Sequence, residues 1–485
     1  MPRGSVTLVN TNDMKPVVAP LALDYLGACL SEAGWSVDVL DLAFAEDIEQ
    51  AIARHFAGTE PTAVAVTVRN TDDCYFASQS SCLPRVRRMV QEIKSHTDAP
   101  VILGGCGFSL MPEAVMAYCD VPYGIRGDGE VALPRLLESI AERQAPDGVP
   151  GAILRRGDKV TSTPPQAPCL EQLPLARRDT IDNERYFREG GMAGFEASRG
   201  CNRKCIYCAD PVAKGRALRR RSPASVADEL GALLRRGITH FHTCDSEFNV
   251  QYEHAVAVCQ EIEARGIGSK VRWYAYAIPK PFTDELAGLM KRAGCVGVNF
   301  GVDSGSARML AALGRDYGPD DLRETARLCR EHGIVFMYDL LLGGPGETQQ
   351  SLRETIELMR EVSPARVGVA AGVRIYPGTR IAQVIAEMGP RARPALHGVT
   401  RDNDAMALPL FYVEPALGPR IYDCVAELVG DDERFFLPGG TEAERDYDYS
   451  DNELLVRAIR NGERGAFWDI LRRLAEGGRA AQRQH

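Results

Sequence analysis

Short apolar runs alternate with amphipathic stretches twice along these 485 residues, and that alternation points to parallel α/β architecture. In the first block, residues 6–9, 37–40, 63–68 and 100–103 read as strands, with a short fifth at 121–125. Helical periodicity occupies 19–33, 46–55, 75–95 and 131–142. The run 63–68 is apolar at nearly every position, as expected of a strand covered on both faces. The expected fold is a doubly wound, Rossmann-like sheet over residues 1–143, with ligands beyond the carboxyl ends of its strands.

Regularity fades over 144–194, where Pro146, Pro150, Pro164, Pro165, Pro168 and Pro174 mark a linker with room for a small hairpin at 152–161. Alternation then resumes. Strands are expected at 195–198, 239–243, 271–277, 296–301, 335–341 and 367–374. Helices are expected at 224–236, 251–265, 283–293, 319–332 and 349–361. This spacing is barrel-like, but six repeats are too few for a closed eight-fold barrel. The second unit is placed at 195–388, and a small, mainly helical domain at 389–485 ends in a charged helix over 464–479.

Composition narrows the functional classes. The chain is 45% hydrophobic and 25% charged, which is globular. It has no apolar run near the ~18 residues of a membrane span and no signal-peptide core, so a cytoplasmic protein without a membrane partner is expected. A net charge of −9 argues against a nucleic-acid partner, and the basic stretch from Arg216 to Arg221 reads as a solvated loop.

Fourteen cysteines in a long chain without an export signal favour metal binding over a disulfide framework. Cys29, Cys119, Cys259, Cys295 and Cys329 are scattered in apolar surroundings and read as small core residues. Cys201, Cys205 and Cys208 instead share one loop just after a strand. With a fourth ligand the set would be structural zinc, or a cluster closed by a distant cysteine. With three, a four-iron cluster keeps one iron open.

The Cys-x3-Cys-x2-Cys spacing, with Tyr207 before the last cysteine, resembles the radical S-adenosylmethionine (SAM) superfamily, and secondary motifs follow in order over about residues 195–385. The resemblance implies a partial (β/α)6 barrel. Cys201, Cys205 and Cys208 would ligate a [4Fe–4S] cluster, SAM would complete the open iron, and Tyr207 would lie against adenine. Residues 243–249 fill the slot for the methionine end of SAM, offering Asp245, Ser246 and Glu247 without the family's usual glycine pair. Asp303 and Ser304 would lie near the ribose and carboxylate. Gly343 and Gly344 would permit close backbone approach, and Tyr376 belongs to the edge that holds adenine.

The first block resembles the cobalamin-binding module of the class B methyltransferases, through 103–112 and 125–130. By that resemblance, Gly104 and Gly105 let the nucleotide tail approach the backbone, Gly127 and Glu130 are further cobalamin-binding residues, and Thr11, Asn12, Thr67, Arg69 and Asn70 lie at strand ends facing the corrin. The Asp-x-His-x-x-Gly motif of cobalt-ligating relatives is absent, since the block holds only His55 and His96. Arg69 is therefore read either as a cation beneath the cobalt or as a loop partner of Asp72 or Asp73.

The implied activity is methyl transfer through methylcobalamin to a carbon of a small-molecule or natural-product intermediate. A 5′-deoxyadenosyl radical would abstract hydrogen, and flavodoxin or ferredoxin would supply electrons. Alternatives are cyclisation or rearrangement, polar methylation of an aromatic carbon, and a zinc-stabilised protein without catalysis. Candidate substrate residues are Tyr274 and Tyr276 on the third barrel strand, Tyr338 with Asp339 on the fifth, and Arg374 on the sixth. Aromatic clusters at 409–412, 434–436 and 447–450 are candidates to cap the barrel mouth.

Overall fold

The computed structural model describes residues 3–157, 159–398, 403, 406–438 and 446–482. In the first sheet, β1 (Ser5–Asn10), β2 (Ser36–Asp41), β3 (Ala63–Thr67), β4 (Val101–Gly104) and β5 (Tyr123–Ile125) are parallel in the order β2-β1-β3-β4-β5. Separate apolar cores cover its two faces, one around Val64, Val66 and Leu103, the other around Val6, Leu8 and Ile102. Strand order reverses between β1 and β3, which opens a crevice at their carboxyl ends.

Two expectations change here. The hairpin β6 (Ala152–Arg156) and β7 (Lys159–Ser162) pairs antiparallel with β5, so part of the presumed linker is an edge of the sheet. The helix expected over 75–95 is the shorter Leu83–His96. Asp72 and Asp73 accept the backbone N–H groups of Cys74 and Tyr75, and Cys74 and Gln79 have positive φ. These local bonds compete with a helical turn. The resulting loop projects from the sheet's carboxyl edge into the second unit.

The second sheet is built from β8 (Ala193–Phe195), β11 (His240–Thr243), β12 (Arg272–Ala277), β13 (Cys295–Asp303), β14 (Val335–Leu342) and β15 (Arg366–Ala371), all parallel and in consecutive order. A two-residue ladder of β9 (Ser198–Arg199) and β10 (Arg219–Arg220) lies beside the cysteine loop. Trp273, Ala275, Val298, Phe300, Tyr338 and Leu340 point outward into a core shared with the surrounding helices. Period-two alternation therefore turns His242, Tyr274, Tyr276, Asn299 and Asp339 inward.

The expected strand 367–374 breaks at Gly372, whose φ is +81°. Beyond it, β16 (Val373–Arg374) joins β17 (Leu396–His397) and β18 (Phe411–Tyr412) in a small antiparallel sheet. The C-terminal stretch also contributes a seventh parallel strand, β19 (Phe435–Phe436), beside β15. Its last helix runs Phe467–Gln482 and packs Trp468 against Tyr274.

Charged knots fasten the two units. The guanidinium of Arg178, 1% exposed, donates to Asp24 at 2.7 Å, Glu229 at 2.7 Å and Asn183 at 2.8 Å. Arg221 donates to Glu229 at 2.6 Å and to the Tyr25 hydroxyl at 2.7 Å. On another side, Arg199 pairs with Asp128, Glu130 and Glu196, and Arg219 with Asp128. Within the stretch from Arg216 to Arg221, Arg219 and Arg221 thus serve the interdomain joints, whereas Arg216 and Arg220 are exposed as expected of a solvated loop.

Candidate active site between the two sheets

The cysteine loop begins beyond β8 and is tied at two points. The Ile206 N–H donates to the Leu313 carbonyl, and the Ile381 N–H donates to the Ile206 carbonyl. Gly314 passes so close beneath it, with φ +81°, that a Cβ would meet the Lys204 carbonyl and its carbon. Cys201, Cys205 and Cys208 are free thiols. Burial raises all three, Cys205 to about 11, so metal loading must release protons. Among the described residues no three His, Cys, Asp or Glu side chains converge as a single-ion site.

Glu247 lies beside these thiols. Its carboxyl is pushed up to about 8 by burial, with Arg315 the largest opposing influence, and both Cys201 and Cys205 feel its charge. Its Oε2 is buried without a hydrogen-bond partner among the described residues. An unsatisfied acid in a thiol-lined recess fits a site completed by a ligand.

Several expected SAM contacts are otherwise engaged. Asp245 accepts from the Ala197 N–H, the Ser198 N–H and the Ser198 hydroxyl, bracing the end of β8. Asp303, at φ +63°, accepts from the Tyr207 hydroxyl at 2.7 Å and from Arg315 Nε at 2.6 Å. The Tyr207 phenol is therefore fixed by an acid and a base, while its ring packs near Ile375 and Ile381. Ser304 is spent on Thr355 and the Ser306 N–H. Ser246 lies beside Asp210, which holds Lys214 at 3.0 Å. Gly343 has φ +85° and a Cβ there would meet Ile421 at 2.6 Å, while at Gly344 a Cβ would meet Leu313 at 3.0 Å, so backbone conformation and packing both call for glycine at 343 and packing alone at 344.

At the first sheet's carboxyl edge, the Thr11 hydroxyl donates to the Thr67 carbonyl at 2.6 Å, joining β1 and β3 across the switch point. Asn12 Nδ2 is buried without a partner among the described residues. Gly105 has φ +103°, and a Cβ there would approach the Val68 carbonyl to 2.7 Å. Gly104 pairs with Thr67, and Gly127 donates its N–H to Ser109. Glu130 accepts from Arg199 Nη1 at 2.9 Å in the domain interface.

Arg69 and Asn70 are exposed at this edge. Among the described residues the loop pairing considered for Arg69 is absent. Asp72 binds Arg374 and Tyr376, Asp73 binds Ser78, and the Arg69 guanidinium meets the Met14 sulfur at 3.7 Å. Its charge is felt by Cys106 of the first unit and Tyr276 of the second. Arg69 thus lies within electrostatic reach of both units.

Cys74, Cys106, Cys244 and Tyr276 are accessible, with Tyr276 45% exposed, yet lie deep in the chain, so each borders internal space. Burial pushes Cys74, Cys244 and the Tyr276 phenol each up to about 12. His242 stacks obliquely on Tyr276, with ring centroids 4.8 Å apart, and its Nδ1 lies 2.7 Å from the Thr243 carbonyl. Asp339 adds a carboxyl raised to about 6 by burial.

The other proposed substrate contacts fall elsewhere. The Tyr338 hydroxyl donates outward to the Leu322 carbonyl, and Tyr274 donates to Asp469 beneath the pocket. Arg374 and the Tyr376 hydroxyl both hold Asp72, so they join the domains. Sequence reasoning missed Tyr75 from the projecting loop, His242 on β11 and the cavity thiols. Their signals, a short acidic turn and inward strand positions, become readable only once strand orientation is known.

Comparison with known proteins agrees with this layout. Residues 195–359 match the radical SAM superfamily, and 8–137 match the B12 binding domain. A tryptophan 2-C-methyltransferase of Streptomyces laurentii is 32% identical over 87% of this chain and 81% of its own length. The radical SAM methyltransferase TsrM of Kitasatospora setae, solved with cobalamin and a [4Fe–4S] cluster bound, is 32% identical over the whole of both chains, with a TM-score of 0.89. With tryptophan and a SAM analogue bound, it covers 99% of each chain at 33% identity and a TM-score of 0.92.

Proposed function

We propose, because this chain belongs to the cobalamin-dependent radical SAM methyltransferases, that the small molecule it methylates is tryptophan, at C2 of the indole. Membership of that family makes the chain an enzyme that methylates a carbon of a small molecule, with cobalamin, a [4Fe–4S] cluster and SAM as cofactors. The observation that carries the tryptophan reading is the aromatic recess around Tyr276. Tyr75, Tyr447 and Tyr449 all feel the Asp339 charge there, offering ring faces and edges to a planar heteroaromatic.

In this reading Cys201, Cys205 and Cys208 hold the cluster, and the recess at Glu247 and Asp210 takes SAM. Residues at the ends of β1, β3 and β4 take cobalamin. When bound, these groups supply the methyl group and the electrons. The protein's own part is placement. The Asp72–Arg374 pair, at 2.8 Å and with both side chains buried, locks the corrin-facing edge over the barrel mouth. The Tyr207–Asp303–Arg315 triad fixes the cysteine loop, while the tyrosine recess orients the indole and excludes water. Arg69, without a carboxylate partner among the described residues, would present a cation to the cobalamin.

A low-potential carrier such as flavodoxin or ferredoxin is the reductant this reading calls for, and the free thiols suit a reducing compartment such as the cytoplasm. The test is anaerobic reconstitution with iron, sulfide and cobalamin, then incubation with SAM and tryptophan. Mass spectrometry should find 2-methyltryptophan. Its absence, with all cofactors loaded, sinks the substrate assignment. Measuring 5′-deoxyadenosine alongside product tests the hydrogen-abstraction step.

A further inference from the structure

We infer that Asp339, with Asn299 and Tyr449, forms the subsite for the substrate's α-ammonium group, an inference that rests on the tryptophan reading above. Three buried polar atoms around this point lack a hydrogen-bond partner among the described residues: Asp339 Oδ1, Asn299 Oδ1 and the Tyr449 hydroxyl. Asn299 is 5% exposed, so its amide has little access to water. Asp339 and Asn299 occupy neighbouring strands of the inner layer, and Tyr449 comes from the C-terminal segment, where its ring packs on Tyr447 at 5.8 Å. Tyr447 and Asn299 both favour the Asp339 carboxylate, and among the described residues the charge it feels is that of another acid, Asp303, while Arg366 is felt at Tyr449.

A carboxylate sunk in a polar recess without a cation is costly, and three acceptor oxygens match the three donors of a primary ammonium. Position agrees. Tyr276, whose ring would face the indole and packs on His242 at 4.8 Å, feels the charges of both Asp339 and Arg69 of the cofactor-facing edge. An amino acid held by its ammonium at Asp339 would lay its ring across Tyr276 toward that edge.

The experiment is equilibrium dialysis of the fully loaded enzyme with tryptophan and with indole-3-propionate, which lacks the amine. Wild type should bind tryptophan about 30-fold more tightly than the des-amino analogue, the worth of a charge-assisted contact. Asp339→Asn should abolish that preference by weakening tryptophan alone, and Tyr449→Phe should reduce it about threefold. An unchanged ratio in Asp339→Asn overturns the subsite while leaving the substrate assignment intact. Wild type that binds neither compound overturns the tryptophan reading itself. Should Asp339→Asn fail to retain its iron, the ratio in Tyr449→Phe decides.

Discussion

Arg178 and Asp339 are both charged residues sunk deep in this chain, and their surroundings are opposite. Around Arg178 each charge meets its complement, through Asp24, Glu229, Arg221 and Tyr25, and Asn183 completes the hydrogen bonding. No cation among the described residues acts on the Asp339 carboxylate, and neighbouring oxygens lack partners. The first pattern is that of a joint whose parts were all encoded in the polypeptide. The second is that of a receptor, for which the missing half comes from outside.

The sharpest way to break this contrast is Arg178→Met. Buried Asp24 would lose its cation and Glu229 one of its two, and stability should fall by about 3–5 kcal/mol, read from the denaturant midpoint. A change below about 1 kcal/mol would mean that the joint bears little stress. Gly368→Ala attacks the receptor's wall. A Cβ there would collide with the Asp339 carboxyl and the Tyr447 ring and come within 2.6 Å of the Met337 methyl. A loss of about 1–3 kcal/mol is expected, with faster proteolysis of the segment around Tyr447.

Asp339→Asn should show the opposite sign. Burial raises this carboxyl from 3.8 to about 6 in the folded chain. Its contribution to stability is therefore present in full below the unfolded value and is lost as pH rises through about 6. Without substrate, the variant should gain on wild type between pH 4 and 7, reaching about 1 kcal/mol once water in the recess screens the charge. Urea midpoints at each pH measure this, and parallel curves would show that the acid is neutralised within the protein. Arg69→Leu has the smallest expected effect. Its guanidinium has no acidic partner among the described residues, so the midpoint should move by less than about 0.5 kcal/mol while activity of the loaded enzyme falls. A larger loss of stability would place Arg69 with the joint.

Much of this architecture is legible without coordinates, because it follows from local pattern. The alternation of strands and helices gives both sheets, and the cysteine spacing gives the metal loop. What escapes is whatever depends on pairing at a distance. Nothing near Arg178 in the sequence announces Asp24 or Glu229, and Arg374 reads as a barrel residue until Asp72 arrives from another sheet. Side-chain direction is the other blind spot. Tyr338 and Asp339 are adjacent, yet one anchors a helix and the other faces the recess, a difference set by the pleat. The loop at 72–81 fails for a third reason, because side-chain capping by Asp72 and Asp73 outcompetes the helical pattern.

The seventh strand, Phe435–Phe436, has a bearing on biosynthesis. It covers the flank of β15, the last strand of the barrel in chain order, and it is drawn from the final tenth or so of the polypeptide. A ribosome therefore leaves an open, sticky border of backbone amides between the synthesis of Ala371 and that of Phe435. Chaperones meet a chain whose barrel sheet is sealed by a strand from beyond the barrel.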